Sequence, residues 1–203
     1  MEQKSVNLFP NHVTNTTAQS RSIRFQKKIC KIFSNKYIAK YFIPVRFNRL
    51  LVNLHVLAEG FSNNNQIADR LLQKIMKSGI KFQVLYRNRI ILVNPDDLRL
   101  LMELGTEFNE IIEMIVGLNN FDFIFNRFLL KNKLKDCQKL IHKIIGNHLT
   151  RKSHERIDFI FDFISTKEFL KYIFNSKLVL NHTIIKEITV DLRVVMRSGL
   201  IRE

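Results

Sequence analysis

Cysteine, glycine and proline are scarce in this chain, which has two, six and three of them in 203 residues, and tryptophan is missing altogether. Two cysteines, Cys30 and Cys137, exclude a disulfide scaffold and a four-cysteine zinc site. Six glycines leave no Gly-rich phosphate loop and no dinucleotide fingerprint. No Ser or Cys stands in a recognisable nucleophile motif. No apolar run approaches the length of a membrane-spanning helix, so none is expected. No apolar core follows a basic start in residues 1–20, so no secretory signal is expected either.

Acidic residues are also in deficit. Lys and Arg number 33 against 18 Asp and Glu, for a net charge of +15, and 46% of the chain is hydrophobic, enough to bury a core. The excess is uneven: residues 1–60 and 121–203 carry it, while residues 61–120 are neutral. Two basic arms around a neutral middle place the partner-facing charge on the ends. A pI near 10.0 with cations recurring along helices is the electrostatic footprint of a nucleic-acid binder. Phe, Ile, Asn and Lys are abundant and Ala, Gly and Pro few, which points to an AT-rich gene and supplies part of the basic bias by itself.

Periodicity predicts a mainly α fold of seven or eight helices. Residues 1–20 read as a flexible polar tail, 21–60 as a basic N-terminal helical arm, 61–120 as a neutral helix–hairpin–helix unit, and 121–203 as a basic C-terminal helical unit. In the arm, Phe25, Ile29, Ile32, Phe33 and Tyr37 oppose Arg24, Lys27, Lys28 and Lys31, a pattern that suits phosphate contact and also suits an anionic membrane surface. Phe47, Leu50, Leu51, Leu54 and Leu57 mark a helix over 46–59, with Gly60 after it. Ser62 or one of Asn63–Asn65 caps the next helix, which Gly79 ends. Ile80, Phe82, Val84 and Tyr86 alternate and a β-branched run follows, so a β-hairpin is expected near residues 80–93. Asn94-Pro95-Asp96-Asp97 supplies a cap, a fixed φ and two acids for a helix start. That helix carries an acidic strip, Glu103, Glu107 and Glu110, able to receive a basic arm, and breaks at Gly105. A basic loop spans 150–156, and helices follow over 157–174 and 183–197.

The strongest candidate feature is a ridge on the helix expected over 122–149. Arg127, Lys131, Lys135, Lys139 and Lys143 recur every four residues opposite an apolar stripe that includes Leu134, Cys137 and Ile141. Like charges at that spacing repel by about 0.2–0.5 kcal/mol per pair, and a polyanion relieves the repulsion. Arg151, Lys152 and Arg156 extend the basic surface. Histidines His142, His148 and His154 are six apart, and that spacing does not align two imidazoles on one helix face, so no metal site is expected. Asp158 and Asp162 share a helix face without specifying a reaction. No cofactor is expected.

Charge, tail and the lack of catalytic motifs together predict a non-enzymatic, nucleic-acid-associated structural protein. RNA is the favoured partner, within a large ribonucleoprotein such as an organelle ribosome alongside protein partners. The expected location is intracellular and organellar, in a mitochondrion or plastid. The alternatives are a protein–protein docking or adaptor module with an incidental basic surface, and a partial or degenerate enzyme domain.

Overall fold

The structure is a computed structural model and describes residues 45–120, 127–146, 148–175 and 177–197. The expected tail and basic arm, with Arg24, Lys27, Lys28 and Lys31, lie outside these residues. The described residues form eight helices: α1 (Val45–Ser62), α2 (Asn65–Arg87), α3 (Ile90–Val93), α4 (Pro95–Asn120), α5 (Arg127–Ile145), α6 (Arg151–Ile164), α7 (Lys167–Ile173) and α8 (Val179–Arg197).

The helix starts follow local chemistry. Asn64 caps α2, its side chain accepting from the backbone N–H of Gln66 at 2.9 Å and of Ile67 at 3.4 Å. Asn63 before it turns the chain at φ 50°. Asn94 accepts from Asp96 N–H at 3.0 Å, with Pro95 at the first helical position of α4, so the Asn-Pro-Asp-Asp start is borne out. Thr166 caps α7 through Phe169 N–H at 3.3 Å.

The expected β-hairpin is absent, since the described residues contain no strand. Residues 80–87 continue α2, and 90–93 form the single turn α3. Alternation in the sequence was real, but Leu71, Ile75, Phe82 and Leu85 also keep a helical phase. Burial follows that phase: Leu85 is buried, Phe82 and Val84 half-buried, Gln83 and Tyr86 exposed. The chain breaks at Asn88–Arg89 instead, where Asn88 closes the last turn onto the Val84 carbonyl and Arg89 takes a left-handed φ of 55°. Neither Gly79 nor Gly105 ends a helix, and the 150–156 segment expected as a loop is largely the first turns of α6.

Six helices close into a ring in the order α1, α2, α6, α5, α4, α8 and back to α1, each packed on the next. The short α7 touches four of them, α1, α5, α6 and α8. Its Phe169, Leu170 and Ile173 are all buried, so α7 fills the space the ring leaves. One apolar core runs through the ring, from Leu57 and Leu71 through Leu134, Cys137 and Ile144 to Ile160 and Ile185. Phe61 of α1 meets Phe163 and Phe169 edge-on at centroid distances of 5.9 and 5.3 Å, a geometry that adds about 0.5–1.5 kcal/mol per pair beyond area burial.

Gly60 was expected just beyond α1 but lies inside it, and a Cβ there would press on the Tyr172 hydroxyl, with Tyr172 Cζ 3.4 Å away. Gly60→Ala should therefore destabilise the protein by about 1–3 kcal/mol through overpacking. In a Tyr172→Phe background the same change meets ordinary contacts and should gain up to about 1 kcal/mol from helix propensity. A double-mutant cycle by urea denaturation reads this reversal of sign, and identical effects in both backgrounds would exclude the contact.

Candidate functional site

The ridge on α5 has the phase expected of it. Leu130, Leu134, Cys137, Leu140, Ile141, Ile144 and Ile145 are buried, while Lys135, Lys139 and Lys143 are exposed and Arg127 and Lys131 half-buried. Lys139 binds Asp136 one turn away at 2.9 Å, an exposed pair of small worth. Phe128 was not among the residues singled out in the sequence, yet it is 75% exposed. On a helix of 3.6 residues per turn Phe128, Lys135 and Lys139 project within about 40° of one another. The outward face of α5 is thus cationic with an exposed aromatic ring at its start. Its buried side includes Cys137, whose thiol desolvation pushes up to about 12, with Glu107 and Asp136 adding to the shift.

The acidic strip receives a cation from within the chain. Lys133, which lies off the ridge, reaches from α5 to α4 and meets Glu110 at 2.6 Å and Glu107 at 3.0 Å. These two hydrogen bonds hold the Lys133 ammonium above its usual range. Glu103 stays exposed.

Arg151 and Lys152 are exposed and Arg156 half-buried in α6. Across the seam between α2 and α6, Arg70 and Lys74 stand over the Phe159 ring at 5.1 and 4.4 Å from its centroid. Burial, then the charges of Arg70 and Arg156, lower the Lys74 amine from its ordinary value, and Lys77 adds to the crowding. Further along the seam Lys81 Nζ donates to Ser153 Oγ at 2.6 Å.

The histidines are arranged as their spacing alone did not reveal. His142 of α5 and His154 of α6 meet through their Nδ1 atoms at 2.7 Å. The rings are nearly coplanar, at 5°, with centroids 4.9 Å apart. The nitrogen contact spans most of that distance, so they meet edge to edge rather than face to face. His142 Nε2 lies 2.7 Å from Asp158 Oδ1, which also accepts from Gln138 Nε2 at 2.8 Å. Asp158 thus gathers His142 and Gln138, and the contact between the two Nδ1 atoms needs one ring to donate and the other to accept. His148 turns elsewhere, to Asp97 at 2.9 Å, and Asp162 is exposed. Among the described residues no group of three or more His, Cys, Asp or Glu side chains is placed to hold a metal ion, and no helix is long and apolar enough to cross a membrane.

A closed helical ring plugged by a short helix, with cations gathered on α5 and on the α2–α6 seam, defines an all-helical bundle whose distinguishing chemistry is on its surface. The family model described as tumor necrosis factor alpha-induced protein 8-like matches residues 16–199. The chain belongs to that family. Tumor necrosis factor alpha-induced protein 8 of Gallus gallus is 31% identical over 158 residues, covering 78% of this chain and 83% of the relative. The Homo sapiens protein of the same name is 30% identical over 158 residues, covering 78% and 79%. Tumor necrosis factor alpha-induced protein 8-like protein 1 of Danio rerio is 29% identical over 154 residues, covering 76% and 82%.

Membership of this family overturns the nucleic-acid reading. The chain is not a ribosomal or RNA-binding protein, and RNA is not its partner. The misreading has a physical cause: a cationic ridge specifies a polyanion and not which one. The same charge pattern on α5 suits any surface dense in negative charge.

Proposed function

We propose that this protein is a non-enzymatic binding module that attaches peripherally to an anionic membrane surface through the outward face of α5, and that it does so inside the cell. The supporting observation is the exposed Phe128 in line with Lys135 and Lys139. An aromatic ring in water beside lysines is the arrangement that seats at a lipid interface, ring among the acyl chains and amines among the headgroups. Each lysine near an anionic bilayer contributes about 1 kcal/mol. Lys131, Lys135, Lys139 and Lys143 together would give about 4 kcal/mol, close to a thousandfold in partitioning. The anionic lipids of the cytoplasmic leaflet supply such a surface. The relatives' names record induction by tumor necrosis factor alpha and state no reaction, which fits a module that acts by where it binds.

Co-sedimentation with phosphatidylcholine vesicles, with and without phosphatidylserine, tests the reading. Wild type should pellet with the anionic vesicles only, and less so as salt rises. The variant Phe128→Ala/Lys135→Glu/Lys139→Glu should remain in the supernatant while keeping its helical circular dichroism, because exposed substitutions shift stability by about 0.5 kcal/mol or less each. Equal binding of wild type to both vesicles, or undiminished binding of the triple variant, would sink the proposal.

A further inference from the structure

Four aliphatic side chains, Ile90 and Val93 of α3 and Leu98 and Met102 of α4, are exposed where these two helices join, Val93 at 78% and Met102 at 65%. They follow one another closely. Ile90 and Val93 stand about a turn apart on α3, away from Ile91, which enters the core. Asn94 caps α4, so Val93 precedes the cap and Leu98 is the fourth helical residue, two positions that neighbour each other across a helix start. Leu98 and Met102 are one turn apart and project within about 40° of one another, on the side away from buried Leu104 and Ile111. Charged side chains of both signs rim the patch: Arg87, Arg89 and Arg99 with Asp96 and Glu103, all exposed. Among the described residues none of them has an ionic partner.

We propose that the α3–α4 patch is the contact between two copies of this chain, paired about a two-fold axis with their α4 helices antiparallel. Two observations select a second copy over other occupants. The first is net charge. The chain carries +15, so copies repel one another through most faces, but residues 61–120 are neutral and the patch lies within them. The second is the order of the charges. Arg99 and Glu103 lie within about 40° of each other along one edge of the Met102 face. A two-fold axis at the level of Leu101 runs α4 of one copy against α4 of the other in reverse. Arg99 then opposes the partner's Glu103, Glu103 opposes the partner's Arg99, and Met102 lies beside the partner's Met102. A surface that is its own complement under that rotation is what a closed two-fold interface requires, and an aliphatic centre within a charged rim is the ordinary anatomy of protein contacts. Other occupants match less of it. An anionic membrane offers nothing to Asp96 and Glu103. The basic segment ahead of α1 has no acidic residue between positions 3 and 44, so it offers nothing to Arg99.

Sedimentation velocity of the full chain over a range of concentrations reads the pairing. Wild type should pass from 24.1 kDa towards twice that mass as concentration rises. Met102→Glu sets two carboxylates together at the axis and should stay monomeric, with unchanged helical circular dichroism because the side chain is outside the core. Arg99→Glu and Glu103→Arg should each weaken pairing about tenfold or more, since the two-fold counts every change twice and turns both ion pairs into repulsions. The deciding sample is an equimolar mixture of those two single variants. In the mixed pair both contacts again join opposite charges, so the mixture should associate as wild type does although neither variant does alone. Wild type that is monomeric at every concentration, a dimer that Met102→Glu leaves intact, or a mixture no better than its components would each overturn the pairing. So would loss of phosphatidylserine-vesicle binding by Met102→Glu in a protein that is monomeric throughout, since the patch would then serve the membrane. Carbodiimide coupling of Glu103 to a lysine of residues 21–44 within the monomer would likewise overturn it and give the patch to the chain's own basic segment.

Discussion

Replacing Phe169 by alanine should lower the free energy of unfolding by about 3–5 kcal/mol. The residue is 2% exposed and sits in the one helix that touches four of the ring's six. Its ring meets Phe61 at 5.3 Å and Phe163 at 5.0 Å, so truncation removes burial and two aromatic pairs and leaves a hole bordered by helices that are already committed to other neighbours. A ring held at both sides cannot easily collapse inward, which places the cost towards the upper end of that range. For a domain of ordinary stability, about 5–15 kcal/mol, this is a large share. Urea denaturation of Phe169→Ala beside Leu129→Ala, an exposed position on α5, makes the comparison. A loss below about 1 kcal/mol for Phe169→Ala would mean that α7 does not hold the ring together.

The second large effect concerns the clasp that closes the ring. Asp191 of α8 is 0% exposed, and the Arg49 guanidinium of α1 grips both its carboxylate oxygens. Asn53 of α1 adds a bond to Glu187 of α8 at 3.0 Å. The Arg49 hydrogen bonds hold the Asp191 carboxyl below its usual range. A carboxyl depressed in the folded state contributes stability above its unfolded value, about 3.9. That contribution is lost as pH falls through the lower folded value. Arg49→Leu should be worse than Asp191→Leu at neutral pH. It strands a charge with no access to water, whereas Arg49 is half in solvent and can hydrate when Asp191 is removed. The pH dependence separates the two. On acidification the gap between wild type and Arg49→Leu should narrow, because a neutral carboxyl needs no cation. Urea midpoints from about pH 3 to 7 read this directly, and a gap that stays constant would show that Asp191 remains charged without Arg49.

Much of the helix content was legible from residue spacing, and the failures share a cause. The α5 stripe, the Asn94 cap and the two outward lysines Lys135 and Lys139 were readable because each depends on neighbours no more than four positions away. Residues 80–93 misled because a short run such as Ile-Lys-Phe-Gln-Val satisfies period two and period 3.6 at once, and only contact with the core selects between them. Gly79 and Gly105 look like stops in sequence, but a long helix tolerates them when its ends are fixed elsewhere. The surface was harder still. The ridge was visible, yet Phe128 beside it was hidden among 17 phenylalanines, most of which are expected inside. The meeting of His142 with His154, of Lys133 with Glu107, and of the α2 cations with Phe159 joins separate helices, and no local period encodes it. The identity of the partner could not be read from charge at all, and family membership removed RNA from consideration.

Arg49 stands in the second turn of α1 and Asp191 in the last two turns of α8, so their clasp brings the beginning and the end of the described chain to the same part of the molecule. The architecture is in that sense a circuit without a privileged starting point. Helix order around it is set by which faces match, and a chain cut between two other helices and rejoined from residue 197 to residue 45 would keep every seam between the described helices. What such a rearrangement would change is the order in which seams form: among the described helices, the seam of α1 with α8 joins the first to the last, and a permuted chain would hand that place to a different pair.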